Sequence, residues 1–137
     1  MDKLYQGMVF FVQHREVTSS DSHFLVVVNP SPATSEIIVF GVVTSGIENA
    51  KKRVEINGED SATLVKITPK DYPELRHDSV IDCNSPVKYS RWEFEQCFGQ
   101  LSSQKRTDMP KNICQAVVHG VLISKQVSKK MKQALLI

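Results

Sequence analysis

Three histidines fall outside the helix-patterned end of the chain: His14, His23 and His77. An imidazole, with an ordinary pKa of about 6.5, is the side chain best suited to moving a proton near neutral pH. Two arginines accompany them, since Arg15 follows His14 and Arg76 precedes His77, and a guanidinium holds an anion through paired N–H donors. Thr44 and Ser45 close an apolar run and offer hydroxyl and backbone groups that can hydrogen-bond a ligand. Proton transfer combined with anion binding is the chemistry these residue types allow. Each also has an ordinary structural reading. A His at a strand start serves as a hydrogen-bonded surface residue, Thr44-Ser45-Gly46 as a turn, and Arg76-His77-Asp78 as a polar turn bonding to itself. His119 sits in a helical stripe and reads as a packed or rim residue. There is no nucleotide-binding glycine loop, no paired set of metal ligands and no Gly-x-Ser-x-Gly elbow, so neither a metal nor another cofactor is expected.

The stretch that must position these groups is residues 23–45. His23-Phe24-Leu25-Val26-Val27-Val28 and Ile37-Ile38-Val39-Phe40-Gly41-Val42-Val43 are β-branched apolar runs separated by Asn29-Pro30-Ser31-Pro32. Proline lacks the ladder donor and restricts the residue before it, so the strand stops there and two antiparallel strands are predicted. Neither run alternates polar with apolar, which places the pair at the centre of the core with both faces covered.

Composition sets the bounds. A chain of 137 residues with 41% hydrophobic and 23% charged residues fits one domain with a real core. The formal charge of +2 imposes no global field that demands a nucleic-acid partner. Cys83, Cys97 and Cys114 are odd in number and widely spaced, which argues against a disulfide framework or a zinc site; they read as small core hydrophobes in a reducing compartment. The opening Met1-Asp2-Lys3-Leu4-Tyr5-Gln6-Gly7 has no apolar signal core, and no run approaches bilayer length, so a cytoplasmic location without membrane contact is expected.

Strands are predicted near 7–12, 23–29, 36–44, 62–67 and 79–83, with Val26, Val28, Ile38, Phe40 and Val42 in the core. Val54-Glu55-Ile56 and Ala62-Thr63-Leu64-Val65-Lys66-Ile67 flank Asn57-Gly58, a pattern that predicts a hairpin with Lys51, Lys52 and Arg53 in or near its outer arm. After Asn84-Ser85-Pro86 the period changes. Ser90-Arg91-Trp92-Glu93 is a capping box and Gly99 a stop, so a helix is placed over about 91–98, burying Trp92 or Phe94 together with Phe98. Asp108-Met109-Pro110 opens the longest helix, with Ile113, Val117 and Val121 on its core face and Gly120 marking close packing or a break. Ser124 is expected to cap a final helix whose apolar face is Val127, Met131, Ala134 and Leu135.

Several short strands followed by helices give an α+β domain with a small, strongly curved antiparallel sheet. In this order of motifs the chain resembles the PemK/MazF family of toxins from bacterial toxin–antitoxin pairs. The resemblance is carried by Gly7-x-Val9-Phe10, His23-Phe24-Leu25-Val26-Val27-Val28 before Asn29-Pro30, Ile38-Val39 leading to Val43-Thr44-Ser45, Asp71-x-Pro73, Arg76-His77-Asp78-Ser79-Val80-Ile81 and Gly120-x-Leu122-x-Ser124. It implies an SH3-like barrel over about residues 1–89 with C-terminal helices over about 90–137. It further implies metal-independent cleavage of single-stranded RNA by attack of the ribose 2′-hydroxyl on the adjacent phosphate. His23, Thr44 and Arg76 are then the catalytic candidates, and Ser45, His14, Arg15 and His77 the substrate-binding ones; the family's strand-end Thr maps onto Thr44.

The family's RNases carry an Arg shortly before the second strand, where this chain reads Asp21-Ser22-His23. Two function classes follow. One is a toxin-like endoribonuclease neutralised by an antitoxin protein; the other is a non-catalytic SH3-like module that binds RNA or a peptide in the same groove. The first requires that His23, Thr44 and a cation from Arg15 or Arg76 converge on one pocket. Exposed sheet edges, together with the family's pairing of barrels, make a two-fold homodimer the form to expect if the chain assembles.

Overall fold

The computed structural model describes residues 4–12, 22–98 and 104–136. The strands are β1 (Val9–Val12), β2 (His23–Val27), β3 (Ile37–Thr44), β4 (Leu64–Ile67), β5 (Ser79–Asp82), β6 (Val87–Ser90) and β7 (Lys105–Arg106). The helices are α1 (Ile47–Ile56), α2 (Arg91–Phe98), α3 (Lys111–Ile123) and α4 (Lys129–Ala134). All strand pairings are antiparallel, in the order β4-β5-β3-β2-β1-β7, with β6 also on β3. The architecture is therefore α+β. Among the described residues no pairing joins β4 to β7, so the seven-stranded sheet is open.

The β2–β3 pair sits at the centre, in the register Leu25↔Val42 and Val27↔Phe40. Asn29 ties its connection: Nδ2 donates to the Ile37 carbonyl at 2.8 Å, and Oδ1 accepts from the Val39 N–H at 2.6 Å. Both faces of the pair are covered, which explains the absence of alternation. Val26, Val28, Val39 and Val43 pack with Ile113, Val117 and Val121 of α3 and with Leu135. Leu25, Val27, Ile38 and Phe40 pack on the other side with Phe10, Tyr89 and Phe94. Each such apolar side chain contributes about 1.5–3 kcal/mol on full burial. Val42 is only half-buried; the other four expected core residues are fully buried.

β3 changes partner along its length. Ile37 to Phe40 pair with β6, whereas Val43 and Thr44 pair with β5. Gly41 lies at the switch, where an added Cβ would stand 3.0 Å from Ile81 Cγ2. The two pairings diverge there, and the strand's end is free to face β5 and the turn before it.

The hairpin expected around Asn57-Gly58 is not formed. Residues 47–56 are helix α1, because Ala50 and Val54 fall four apart and are buried on one side while Lys51, Lys52 and Arg53 face outward. Asn57-Gly58 ends that helix: Asn57 donates to the Arg53 carbonyl at 3.0 Å, and Gly58 takes φ +63°, the left-handed geometry of a helix stop. Residues 61–63 form a 3-10 turn, which shortens the predicted strand to β4.

The capping box holds. Ser90 N–H donates to Glu93 Oε1 at 2.9 Å, and Glu93 N–H to Ser90 Oγ at 3.1 Å. Phe94 of α2 is buried, while Trp92 is 69% exposed; the expectations on Gly99 and the Phe98 side chain lie outside what is described. Two other caps differ. Pro110 precedes α3 without a side-chain cap, since Asp108 is occupied by the Tyr5 hydroxyl at 2.9 Å and Lys105 Nζ at 3.2 Å. Ser128, accepting from the Met131 N–H at 3.2 Å, caps α4 in place of Ser124. Among the described residues no helix is long and apolar enough to cross a membrane.

Candidate functional site

Strand pairing assembles the site. Leu25 lies opposite Val42; His23 is two residues before Leu25 and Thr44 two residues after Val42, so antiparallel geometry brings both to the same end of the sheet. Thr44 also pairs with Val80 of β5, and the turn entering β5 carries Arg76 and His77. A cavity of about 600 Å³ opens where these ends meet, and His23, Thr44, Ser45, Arg76 and His77 all line it. His14 and Arg15, the remaining two candidates, lie outside the described residues.

The local environments differ. His23 is half-buried, with Nδ1 3.4 Å from the Val43 carbonyl; its Nε2 is buried and has no hydrogen-bond partner among the described residues. An unpaired polar atom is costly, so a ligand that supplied a partner would recover that cost. By strand alternation His23 and Thr44 belong to the face of Leu25 and Val42, whereas Phe24 and Val43 belong to the opposite face. The cavity therefore wraps the sheet end and draws residues from both faces.

Thr44 Oγ1 accepts from the Gly46 N–H at 3.1 Å, just before α1 begins. Its own O–H proton is left to donate. Ser45 is exposed beside it. Arg76 and His77 are exposed and form no ion pair among the described residues. Their turn is held by buried Leu75, whose N–H donates to the Tyr72 carbonyl at 3.0 Å, and by Ser79 Oγ, which donates to the His77 carbonyl at 3.0 Å.

Eight further described residues that sequence reasoning did not select line the cavity, among them Phe11, Phe24, Glu74 and Arg106. Arg106 arrives through β7, opposite Val9 of β1. A two-residue strand has no periodicity to read, so only the tertiary pairing reveals it. Burial works against the charge of Glu74, but the Thr107 N–H at 2.7 Å, the Tyr72 hydroxyl and nearby Arg106 outweigh it and hold the carboxyl below its ordinary value. Burial, with Glu74 beside it, pushes the Tyr72 hydroxyl well up, so it stays protonated as a donor. Among the described residues two guanidiniums stand against one carboxylate, which makes the described part of the wall cationic.

A second cavity, about 710 Å³, lies between α1 and the β4–β5 edge. Its apolar wall is Ile47, Val54, Leu64 and Val80, and no imidazole of the described residues lines it. Among the described residues no three His, Cys, Asp or Glu side chains are grouped to hold a metal ion. No family model matches the sequence, and no curated protein matches it.

Proposed function

We propose that the cationic groove at the end of β2 and β3 binds single-stranded RNA and cleaves it without a metal, as a PemK/MazF-like toxin would. The ribose 2′-oxygen attacks the adjacent phosphorus, the bond to the 5′-oxygen breaks, and the products are a 2′,3′-cyclic phosphate and a free 5′-hydroxyl. One proton leaves the 2′-hydroxyl and one reaches the departing 5′-oxygen. His23 is the residue assigned to this transfer, with Arg76 offsetting the charge that grows on the phosphoryl oxygens and Thr44 donating to one of them. Ser45 and His77 contact the substrate. On the same reading the bent sheet corresponds to the family's SH3-like barrel, two copies pair with two-fold symmetry, and an antitoxin segment inhibits by filling the groove.

The observation that supports this reading is the convergence of His23, Thr44 and Arg76 on one cavity from three separate stretches of chain. The test is incubation of the purified protein with unstructured RNA of varied sequence at neutral pH in excess chelator, beside DNA of the same sequence. RNA should be cut to cyclic-phosphate ends while DNA, which lacks the nucleophile, stays whole. Intact RNA would replace this reading with a groove that binds RNA or a peptide without cleaving it.

A further inference from the structure

Arg106 is held on three sides, unlike Arg76. Its Nε lies 3.8 Å from Glu74 Oε1, its Nη1 donates to the Lys105 carbonyl at 3.4 Å, and its guanidinium carbon stands 5.5 Å from the centre of the Phe11 ring. Nη2 forms no hydrogen bond among the described residues. Glu74 is fixed in turn, with Oε2 accepting from the Thr107 N–H at 2.7 Å and lying 3.3 Å from the Tyr72 hydroxyl oxygen. Phe11 packs beside Phe24 with ring centres 4.6 Å apart, and both rings are half-buried in the cavity wall.

Stability alone is a weak account of this cluster. The two side chains of the ion pair are each 32% exposed at a separation of 3.8 Å, and an exposed pair of that kind contributes little. Its geometry suits an anion site better. A guanidinium already oriented loses little freedom when a phosphate arrives, and half-exposed aromatic rings beside it present faces on which a base can stack.

We infer that Arg106, oriented by Glu74, binds a backbone phosphate and that the Phe11–Phe24 pair takes the adjoining base, making this end of the cavity a nucleotide subsite for single-stranded RNA. The inference rests on the groove being an RNA site, but on binding and not on cleavage. Glu74 is a positioning residue: it acts through Arg106 and, being negative, would by itself repel RNA. Removing its charge should weaken binding if it orients Arg106, and strengthen binding if it does not.

The experiment uses a fluorescent 2′-O-methyl oligonucleotide, which cannot be cleaved, and reads anisotropy at several salt concentrations. Arg106→Gln should weaken binding about tenfold and lower the salt slope by about one, as loss of one phosphate contact requires. Phe11→Leu should weaken binding several-fold and leave the slope unchanged. Glu74→Gln should weaken binding in the parent protein but not in the Arg106→Gln background, where only its repulsion is lost and binding tightens slightly, a reversal of sign that a merely structural role would not produce. Wild-type affinity and slope in Arg106→Gln, or tighter binding in Glu74→Gln, overturns the inference even if the protein cleaves RNA. The expected pattern in a protein that leaves RNA intact supports the subsite and overturns only the nuclease reading. No binding of the oligonucleotide by the parent protein overturns both.

Discussion

Gly120 of α3 lies directly against Cys83 at the end of β5: a Cβ built on Gly120 would stand 2.6 Å from the Cys83 sulfur and 2.9 Å from its Cβ. Glycine in a helix interior costs about 1 kcal/mol relative to alanine, so the close approach of α3 to the sheet has a measurable counterweight. Gly120→Ala gains that propensity but overpacks the contact, which costs about 1–3 kcal/mol. With contacts under 3.0 Å the upper part of that range applies, about 2–3 kcal/mol, so net destabilisation by about 1–2 kcal/mol is expected in urea unfolding. Adding Cys83→Ala should recover part of the loss, because the sulfur is removed while the 2.9 Å approach to its Cβ remains. An unchanged or raised midpoint for Gly120→Ala would mean that α3 sits farther from the sheet.

Cys83 and Cys114 face the core, and burial pushes their thiols up to about 12 and about 11 respectively. Since the thiolate is the reactive form, both should be inert in the folded protein. A Cys97→Ser variant isolates them. At pH 8 it should react with a thiol reagent only at the rate of unfolding, and both thiols should label at once in denaturant. Immediate labelling of the native variant would place a cysteine at the surface.

The parts of this fold that were legible in the sequence are those fixed locally. The β2–β3 pair announced itself through two apolar runs around Asn29-Pro30, and α2 through the reciprocal Ser90 and Glu93 bonds. Residues 47–56 misled because Val54-Glu55-Ile56 alternates over three positions. The helix appears only over the longer window that sets Ala50 and Val54 on one face and allows the Glu48–Lys51 ion pair at 3.6 Å. β6 is short and β7 is two residues long, so each exists by virtue of its partner. The site divides the same way. His23, Thr44 and Arg76 are marked by residue type at strand ends and turns, whereas Arg106 reaches the cavity through the β1–β7 pairing, and Glu74, on the same turn as Arg76, takes its role from contacts with Thr107 and Arg106.

Glu59 anchors the α3–α4 turn to the end of α1. Its carboxylate accepts from the Lys125 N–H at 3.1 Å and from Gln126 Nε2 at 3.0 Å, while Lys125 Nζ donates to the Gly58 carbonyl at 3.2 Å. Burial opposes ionisation here, but the donors from Lys125 and Gln126 prevail and lower the pKa below the ordinary 4.5. A lowered folded-state pKa contributes stability that is fully present above about 4.5 and lost as pH falls through the folded value. The urea midpoint should therefore drop on acidification below that point, and Glu59→Gln should start lower at pH 7 and fall less steeply. Parallel curves for the two proteins between pH 7 and 3 would remove Glu59 from this role.

The proposed chemistry separates His23 from His77, which share the cavity but differ in setting: one is half-buried, with an Nε2 that has no partner among the described residues, the other exposed on a turn. A residue that moves the proton governs kcat, and general acid–base catalysis is worth about 10²–10⁴-fold. His23→Gln should lower kcat at least about a hundredfold with KM little altered, whereas His77→Gln should raise KM and spare kcat. Thr44 needs a finer pair of variants, because its Oγ1 also accepts the Gly46 N–H at 3.1 Å. Thr44→Val loses both that acceptor and the donor to phosphate and should cost about tenfold or more in kcat. Thr44→Ser keeps both and should remain close to the parent. Circular dichroism and urea midpoints check that each variant folds. If His23→Gln cleaves like the parent while His77→Gln is inactive, the proton passes through the exposed turn and His23 only shapes the end of β2.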